Sequence, residues 1–318
     1  MFSVVFPGQG SQKVGMGSEL FQKFEIVRKI FKEADEILQQ PITKLIFEGP
    51  DYELNLTENS QPAIFLVSYS IFQTVKKEFG YDFDKAAYFA GHSLGEYSAL
   101  ACTEAISFSD TIKTLKKRGI SMQNAVPQNE GGMLVVLGER ADDIQKIIDE
   151  NKENFECFIA NDNSSQQLVV SGLKKDLNKF SDFLNSKKIK NMMLKVSAPF
   201  HCKLMNKATD EMRIHINNLT IKNLLNPIIS NVTATENKSP EDIKKLLISQ
   251  IEDKVRWFDG VNYMINKGVT NFIEIGPGKV LSGLIKRINK DVKIDTINSE
   301  DDIKLLKTIT ELVRIPVI

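Results

Sequence analysis

Short apolar runs alternate along this chain with longer amphipathic stretches, and the alternation predicts an α/β protein. The runs at 2–6 and 86–90 have the length and composition of buried strands. In longer stretches apolar residues recur every three or four positions, which predicts helices at 17–39, 60–79, 96–105 and 109–124. Strands that alternate with long helices favour a parallel sheet with helices on both faces.

The pattern changes after Pro127, where two strands follow each other without a helix between them. We predict strands at 132–137, 155–160, 167–171 and 191–196, with helices at 141–152 and 174–187. This β-α-β-β-α-β order is typical of a ferredoxin-like α+β unit. Beyond it the α/β pattern resumes, with helices at 202–218, 240–250 and 256–267, strands at 227–231 and 270–275, and a closing helix from 279. We therefore predict a catalytic α/β core formed by 1–127 and 198–318, with a ferredoxin-like subdomain inserted at 128–197.

Composition and charge exclude several classes of function. The 318 residues are 42% hydrophobic and 26% charged, and 41 basic residues balance 41 acidic ones, so neither nucleic acid nor a membrane surface is expected as the main partner. No apolar run reaches transmembrane length, and the first residues lack the features of a signal peptide. The three cysteines are scattered, which argues against a disulfide framework or a zinc site. We expect a cytoplasmic protein without a bound metal.

Candidate chemistry begins at Gly91-His92-Ser93-Leu94-Gly95, a G-x-S-x-G sequence between a predicted strand and a predicted helix. That context is the one a nucleophile elbow requires, because the chain must turn sharply and expose the serine hydroxyl. A plain Gly-Ser turn is the alternative. The flanking strand and helix favour Ser93 as a nucleophile.

A serine nucleophile needs a base, and the chain has three histidines. His92 neighbours Ser93, but adjacent side chains at a strand end point to opposite faces. His215 lies at the edge of the apolar stripe of a helix. His201 follows a predicted strand and precedes a predicted helix, whose dipole would disfavour the imidazolium ion, so we predict His201 as the base. No acidic residue stands out in the sequence as the third member of a catalytic triad, and a backbone carbonyl could orient the histidine instead.

Arg118 shares the apolar stripe of the helix at 109–124, whereas its lysine neighbours lie on other faces. A buried guanidinium is costly without a partner, so two interpretations stay open. One is an internal salt bridge. The other is a bidentate site for a substrate carboxylate.

Lysines at 187, 188 and 190 form a basic segment. A solvated helix end explains them, and a docking patch for an acidic partner is the alternative.

With these residues identified, the chain resembles the malonyl-CoA:acyl carrier protein transacylases along nearly its whole length. The shared motifs occur in the expected order: Phe6-Pro7-Gly8-Gln9-Gly10-Ser11-Gln12, Gln61-Pro62-Ala63, Gly91-His92-Ser93-Leu94-Gly95-Glu96-Tyr97, Arg118-Gly119, Ala198-Pro199-Phe200-His201, Val255-Arg256-Trp257 and Glu274-Ile275-Gly276-Pro277-Gly278. The resemblance implies an α/β-hydrolase-like core that carries a ferredoxin-like insertion. The sequence departs from the family pattern in two places. Glu252-Asp253-Lys254 stands where proline is usual before Val-Arg-Trp, and Cys202 stands where serine is usual after the histidine.

The resemblance also implies a role for each matching residue. Ser93 would be the acyl-accepting nucleophile and His201 its base. The backbone N–H groups of Gln9 and Leu94 would form the oxyanion hole. Arg118 would bind the malonyl carboxylate, and the main-chain carbonyl of Gln250 would hold the histidine.

The implied reaction is a ping-pong transfer from malonyl-CoA to the phosphopantetheine thiol of acyl carrier protein, in fatty acid or polyketide synthesis. It needs no cofactor, and we expect a monomer. The competing hypotheses are a hydrolase that delivers the acyl group to water and a non-catalytic carrier-binding protein.

Overall fold

The computed structural model describes residues 1–127, 129–196 and 198–305. Its strands form two separate sheets. The helices are α1 Ser18–Lys23, α2 Glu25–Leu38, α3 Ile42–Glu48, α4 Asp51–Leu54, α5 Thr57–Lys77, α6 Leu94–Cys102, α7 Phe108–Gln123, α8 Ala141–Glu150, α9 Lys174–Ser186, α10 Asn206–Asn217, α11 Pro240–Ser249, α12 Trp257–Asn266 and α13 Val280–Ile288, with 3-10 turns at Phe83–Lys85 and Lys203–Met205.

The larger sheet has six strands in the order β10-β9-β1-β2-β7-β8. Its strands are β1 Phe2–Phe6, β2 Tyr88–Gly91, β7 Ile228–Ile229, β8 Glu236–Asn237, β9 Asn271–Ile275 and β10 Lys293–Ile297. All neighbouring pairs are parallel except β7 with β8, which is antiparallel. The predicted parallel sheet is therefore confirmed, with one antiparallel strand at its edge.

Both faces of the larger sheet are covered, as the side chains of β1 show. Val4 and Phe6 join the apolar cluster that includes α2, α5, α6 and α7. Val5 points the other way, into a second cluster with α12 and α13. Because successive side chains of a strand lie on opposite faces, a strand buried on both sides is mainly apolar, which explains why apolar residues dominate 2–6, with the small residue Ser3 as the exception.

The smaller sheet is antiparallel, with the strand order β4-β5-β3-β6. Its strands are β3 Gly131–Leu137, β4 Cys157–Ser164, β5 Gln167–Leu173 and β6 Lys190–Met193. The first and third strands of the β-α-β-β-α-β unit lie in the centre, which confirms the ferredoxin-like arrangement. Leu134 and Val136 pack with α8 and α9, whereas Met133 and Val135 pack against the main core.

The proposed domain limits remain a prediction. Residues 128 and 197, where the inserted unit would begin and end, lie outside the described residues, as does the segment 306–318.

Several predicted elements need correction. The helix predicted at 17–39 is two helices, because Phe24 is extended (φ −111°, ψ 126°) while its ring packs on Phe79. Phe24 is partly buried, and its apolar side chain continues the helical pattern across this break. The helix predicted from 202 begins as a 3-10 turn, and α10 starts only at Asn206. The sequence analysis also missed α3, α4, β8 and β10.

Two glycines allow β1, β2 and α6 to meet closely. A Cβ on Gly91 would lie 1.9 Å from the carbonyl carbon of Gly95, and a Cβ on Gly95 would lie 2.2 Å from the carbonyl oxygen of Phe6. Since both neighbours are backbone atoms, neither clash can be relieved by a side-chain rotation. The glycines of the G-x-S-x-G sequence are thus required by packing.

We predict that Gly95→Ala destabilises the protein by at least about 2 kcal/mol, because the methyl group overpacks a backbone junction. The matched control is Gly283→Ala in α13, where a Cβ would have no neighbour within 4 Å. It should stabilise the helix by up to about 1 kcal/mol. Urea unfolding of both variants measures the difference, and equal effects at the two positions would contradict this account.

Candidate active site

Ser93 occupies a sharp turn between β2 and α6. It is the N-cap of α6 with φ 54° and ψ −110°, a backbone conformation that is strained for a residue with a side chain. Asn231 holds this turn: its Oδ1 accepts the Ser93 N–H at 2.7 Å and its Nδ2 donates to the carbonyl of Gly91 at 2.7 Å. The predicted sharp turn between strand and helix is present, and the role of Ser93 as a nucleophile stays a prediction.

His201 lies against the serine hydroxyl. Ser93 Oγ is 2.8 Å from His201 Nε2, and His201 Nδ1 is 2.7 Å from the main-chain oxygen of Gln250. Because a carbonyl oxygen only accepts, Nδ1 carries the proton and Nε2 is left to accept from the hydroxyl. The backbone carbonyl of Gln250 thus takes the place of the acidic residue of a catalytic triad, for which the sequence offered no candidate.

Burial keeps His201 neutral. The side chain is 4% exposed, and burial, reinforced by the charge of Arg118, lowers its pKa to about 3. The helix dipole invoked from the sequence is not the cause, because α10 begins only at Asn206. The structure places His201 beside Ser93, its role as the base stays a prediction, and burial rather than a helix dipole accounts for its lowered pKa.

Arg118 is buried at the side of the serine, with 1% of its surface exposed. Its Nη2 donates to Ser93 Oγ at 3.2 Å and to Gln250 Oε1 at 2.9 Å, and its Nη1 donates to Gln61 Oε1 at 2.8 Å. Within the described part of the chain, no carboxylate forms a salt bridge with Arg118, and its Nε has no hydrogen-bond partner. The salt-bridge interpretation is therefore not supported there.

Gly119 explains how Arg118 reaches this position. A Cβ on Gly119 would lie 2.6 Å from the Thr57 carbonyl oxygen, so α7 approaches the first turn of α5 without a side chain between them. The same turn carries Gln61, the partner of Nη1. The helix starts at Thr57, three residues before the predicted start, and Pro62 therefore lies inside it.

Two backbone N–H groups border the serine. Leu94 is the first residue of α6 and Gln9 lies in the loop after β1, and both line the same cavity as Ser93. Ser93's own N–H is taken by Asn231, whereas the N–H groups of Gln9 and Leu94 have no hydrogen-bond partner among the described residues. Free N–H groups at a helix N-terminus suit a developing oxyanion.

These groups open into a cavity of about 490 Å³ between the larger sheet and the ferredoxin-like unit. Its lining includes the polar side chains of Ser93, Arg118, Gln61 and His201. The apolar part of the lining consists of Met122, Met133, Leu194, Val196 and Phe200. A cavity of this size with a few convergent polar groups fits a small charged acyl group on a long flexible arm.

Comparison with known proteins places the chain in a family. The acyl transferase domain model matches residues 3–308. The chain belongs to the acyl transferase family.

Relatives of this acyltransferase carry a more specific name. The malonyl CoA-acyl carrier protein transacylase of Bacillus subtilis (strain 168) is 41% identical over 310 residues, which is 96% of each chain. The protein of the same name from Staphylococcus aureus (strain MW2) is 37% identical over 95% of this chain and 97% of its own. The resemblance stated from the sequence is confirmed.

Solved structures agree with the fold. The acyl-carrier-protein-S-malonyltransferase of Bartonella henselae superimposes with a TM-score of 0.94 at 37% identity, covering 98% of this chain and 99% of that one. A malonyl-transacylase solved with a type II polyketide acyl-carrier protein gives 0.93 at 35% identity, covering 97% and 99%.

The other two histidines lie outside the reacting group, as predicted. His92 Nε2 pairs with Asn163 Oδ1 at 2.9 Å, and His215 Nε2 is 2.9 Å from Thr114 Oγ1.

Across 1–127, 129–196 and 198–305, no group of three or more potential ligands could hold a metal ion. In the same residues, no helix is long and apolar enough to cross a membrane.

Sequence reasoning missed three residues of the acyltransferase site: Asn231, Gln61 and Glu96. Gln61 could have been found, because it belongs to the Gln61-Pro62-Ala63 motif and directly precedes an apolar stretch of α5, where a buried amide needs a hydrogen-bond partner. Asn231 had no such signal, since its partner Ser93 is 138 positions away.

The low pKa of His201 predicts how the serine responds to pH. A neutral organophosphorus reagent should label Ser93 at the same rate from about pH 8 to about pH 5, because the base stays unprotonated, and the rate should fall only below about pH 4. Quenched labelling followed by mass spectrometry measures this profile. A half-maximal rate near pH 6.5, the pKa of an ordinary histidine, would contradict the lowered pKa of His201.

Proposed function

We propose that the protein transfers the malonyl group of malonyl-CoA to the phosphopantetheine thiol of acyl carrier protein through a malonyl-Ser93 intermediate, in fatty acid biosynthesis. The observation that carries this proposal is the buried guanidinium of Arg118, which lies 3.2 Å from Ser93 Oγ without a carboxylate partner in the described chain. A carboxylated acyl group on Ser93 would supply that partner. The names of the relatives support the same reaction.

In the first half-reaction, His201 Nε2 takes the Ser93 proton as the hydroxyl oxygen attacks the thioester carbonyl. Negative charge develops on the carbonyl oxygen, where the N–H groups of Gln9 and Leu94 stabilise it. One such donor contributes about 2.7–4 kcal/mol in comparable sites. The intermediate collapses, the carbon–sulfur bond breaks, and the coenzyme A thiolate takes the proton from His201.

In the second half-reaction, His201 takes the proton of the carrier's thiol, and the sulfur attacks the malonyl ester. The same two N–H groups stabilise the second oxyanion. Ser93 leaves with the proton from His201, which regenerates the enzyme. The Nδ1–Gln250 hydrogen bond keeps the imidazole in one orientation for both proton transfers.

Arg118 accounts for the choice of acyl group. In the free enzyme its Nη2 donates to Ser93 Oγ, and a malonyl carboxylate attached to that oxygen lies within reach of the same guanidinium. An acetyl group would leave the buried charge without its ligand. Hydrogen bonds to charged groups contribute about 1.5–3 kcal/mol, so malonyl should be favoured by roughly 10- to 100-fold. Phe200 lines the same cavity and would narrow it against a branched acyl group.

The remaining parts of the proposal follow from this chemistry. The partners are malonyl-CoA and holo acyl carrier protein, and a structural relative was solved in complex with such a carrier. The steps above use no cofactor, since every proton and charge is handled by residues of this chain. We also propose a monomeric enzyme, because a single chain supplies every group of the site.

Incubation with malonyl-CoA should give a malonyl adduct on Ser93, detected by mass spectrometry of the intact protein and its peptides. Ser93→Ala should abolish the adduct. Ser98→Ala is the matched control, because Ser98 is buried on the same helix and its hydroxyl has no hydrogen-bond partner among the described residues. That variant should be malonylated like the wild type.

Addition of a pantetheine thiol should then discharge the adduct into a malonyl thioester. Release of free malonate at the same rate without the thiol would show a hydrolase. Absence of the adduct on the wild type would overturn the proposed function.

A further inference from the structure

Glu96 is a buried carboxyl group that the mechanism above does not use. It is 1% exposed and lies in the first turn of α6, three residues after Ser93. A glutamate at this position commonly accepts the N–H of the N-cap residue in a capping box. Here the Ser93 N–H goes to Asn231 instead, and Glu96 Oε2 accepts from Gln250 Nε2 at 2.7 Å and from the Asn231 N–H at 3.1 Å. Its partners are residues of the site rather than its own helix.

The contact with Gln250 fixes which end of the Gln250 amide faces Arg118. The Nε2 end donates to Glu96 and to the Ser93 carbonyl at 3.1 Å, and both of these oxygens act as acceptors. The Oε1 end accepts from Arg118 Nη2 at 2.9 Å. The opposite orientation would place an NH₂ group against the guanidinium, where both groups only donate. Glu96 therefore selects the orientation that holds Arg118.

The arrangement also places a carboxyl group near Arg118 without a direct contact between them. A carboxylate bonded directly to the guanidinium would occupy the N–H groups that a substrate carboxylate needs. With Gln250 between the two residues, the guanidinium is oriented and its remaining N–H groups stay available. The Nη2 group faces Ser93 Oγ, where the acyl group would be attached.

We propose that Glu96 is a positioning residue for acyl-group selection, which holds the Gln250 amide so that Arg118 faces the acyl group on Ser93. The inference rests on the proposed function. It concerns the malonyl group more than the base, because the His201 contact uses the main-chain carbonyl of Gln250, which no side-chain change at position 96 removes. Glu96 also accepts the Asn231 N–H, so acetylation of Ser93 is measured beside malonylation to report any disturbance of the Ser93 turn.

The test compares Glu96→Met with Glu96→Gln in the full-length protein. Single-turnover acylation of Ser93 is measured by mass spectrometry with malonyl-CoA and, separately, with acetyl-CoA. Glu96→Met removes the acceptor, and the ratio of malonyl to acetyl rates should fall by at least about tenfold. Acetylation should fall by less than malonylation, and its rate reports any disturbance of the Ser93 turn through Asn231. Glu96→Gln retains an oxygen that can accept from Gln250, so its ratio should stay within about twofold of the wild type.

The control is Glu274→Met. Glu274 is also fully buried, but it accepts from Leu281, Ser282 and the Ser282 hydroxyl at the start of α13, outside the site. This variant should lose stability in thermal unfolding and keep the wild-type acyl ratio. If Glu96→Met does not fold, Glu96→Asp takes its place. The side chain of Glu96→Asp is shorter by one methylene, so its carboxyl group lies farther from Gln250 and the malonyl-to-acetyl ratio should again fall.

Three results would overturn the inference: an unchanged ratio in Glu96→Met or its Asp substitute, an equal fall of both acylation rates, or a fall in Glu96→Gln as large as in Glu96→Met. Failure of the proposed function is distinguishable, because it would appear in the wild type as the absence of any malonyl adduct.

Discussion

The hydrogen bonds of Gln250 are the contacts on which the rest of the site depends. Its main-chain oxygen accepts from His201 Nδ1 and its side-chain oxygen accepts from Arg118 Nη2. One residue at the end of α11 therefore orients both the base and the guanidinium, and both of these groups contact Ser93 Oγ. A shift of Gln250 would disturb proton transfer and acyl recognition together, and its complete burial keeps it in place.

Burial sets the chemistry of these groups. Removal from water lowers the pKa of His201 to about 3, so the base is neutral over the whole physiological range. Burial also raises the pKa of Glu96 to about 7 and lowers that of Arg118. In the proposed mechanism, burial in the cleft between the two sheets keeps the base of Ser93 neutral at physiological pH and makes a carboxylated acyl group a suitable ligand for the guanidinium.

The parts of the site that sequence reasoning identified are those with local signals. The Gly91–Gly95 elbow is defined by five adjacent residues, and Arg118 stood out because it shares an apolar helical stripe. The position of Gln250 came only from the resemblance to a family. Glu96 and Gln250 are 154 positions apart, and side-chain contacts of that kind depend on tertiary packing that no local pattern encodes. In the fold, the alternation of strands and helices was predictable, whereas the break at Phe24 was not, because its partly buried apolar side chain continues the helical period.

The most direct test of this account separates the two functions of Gln250. Gln250→Leu deletes the amide and retains the main-chain carbonyl that holds His201. We predict that single-turnover acetylation of Ser93 stays within about threefold of the wild type while malonylation falls by at least about tenfold. In this account, Gln250 positions His201 through its main-chain carbonyl and Arg118 through its side-chain amide. An equal loss of both reactions, or the loss of neither, would contradict it.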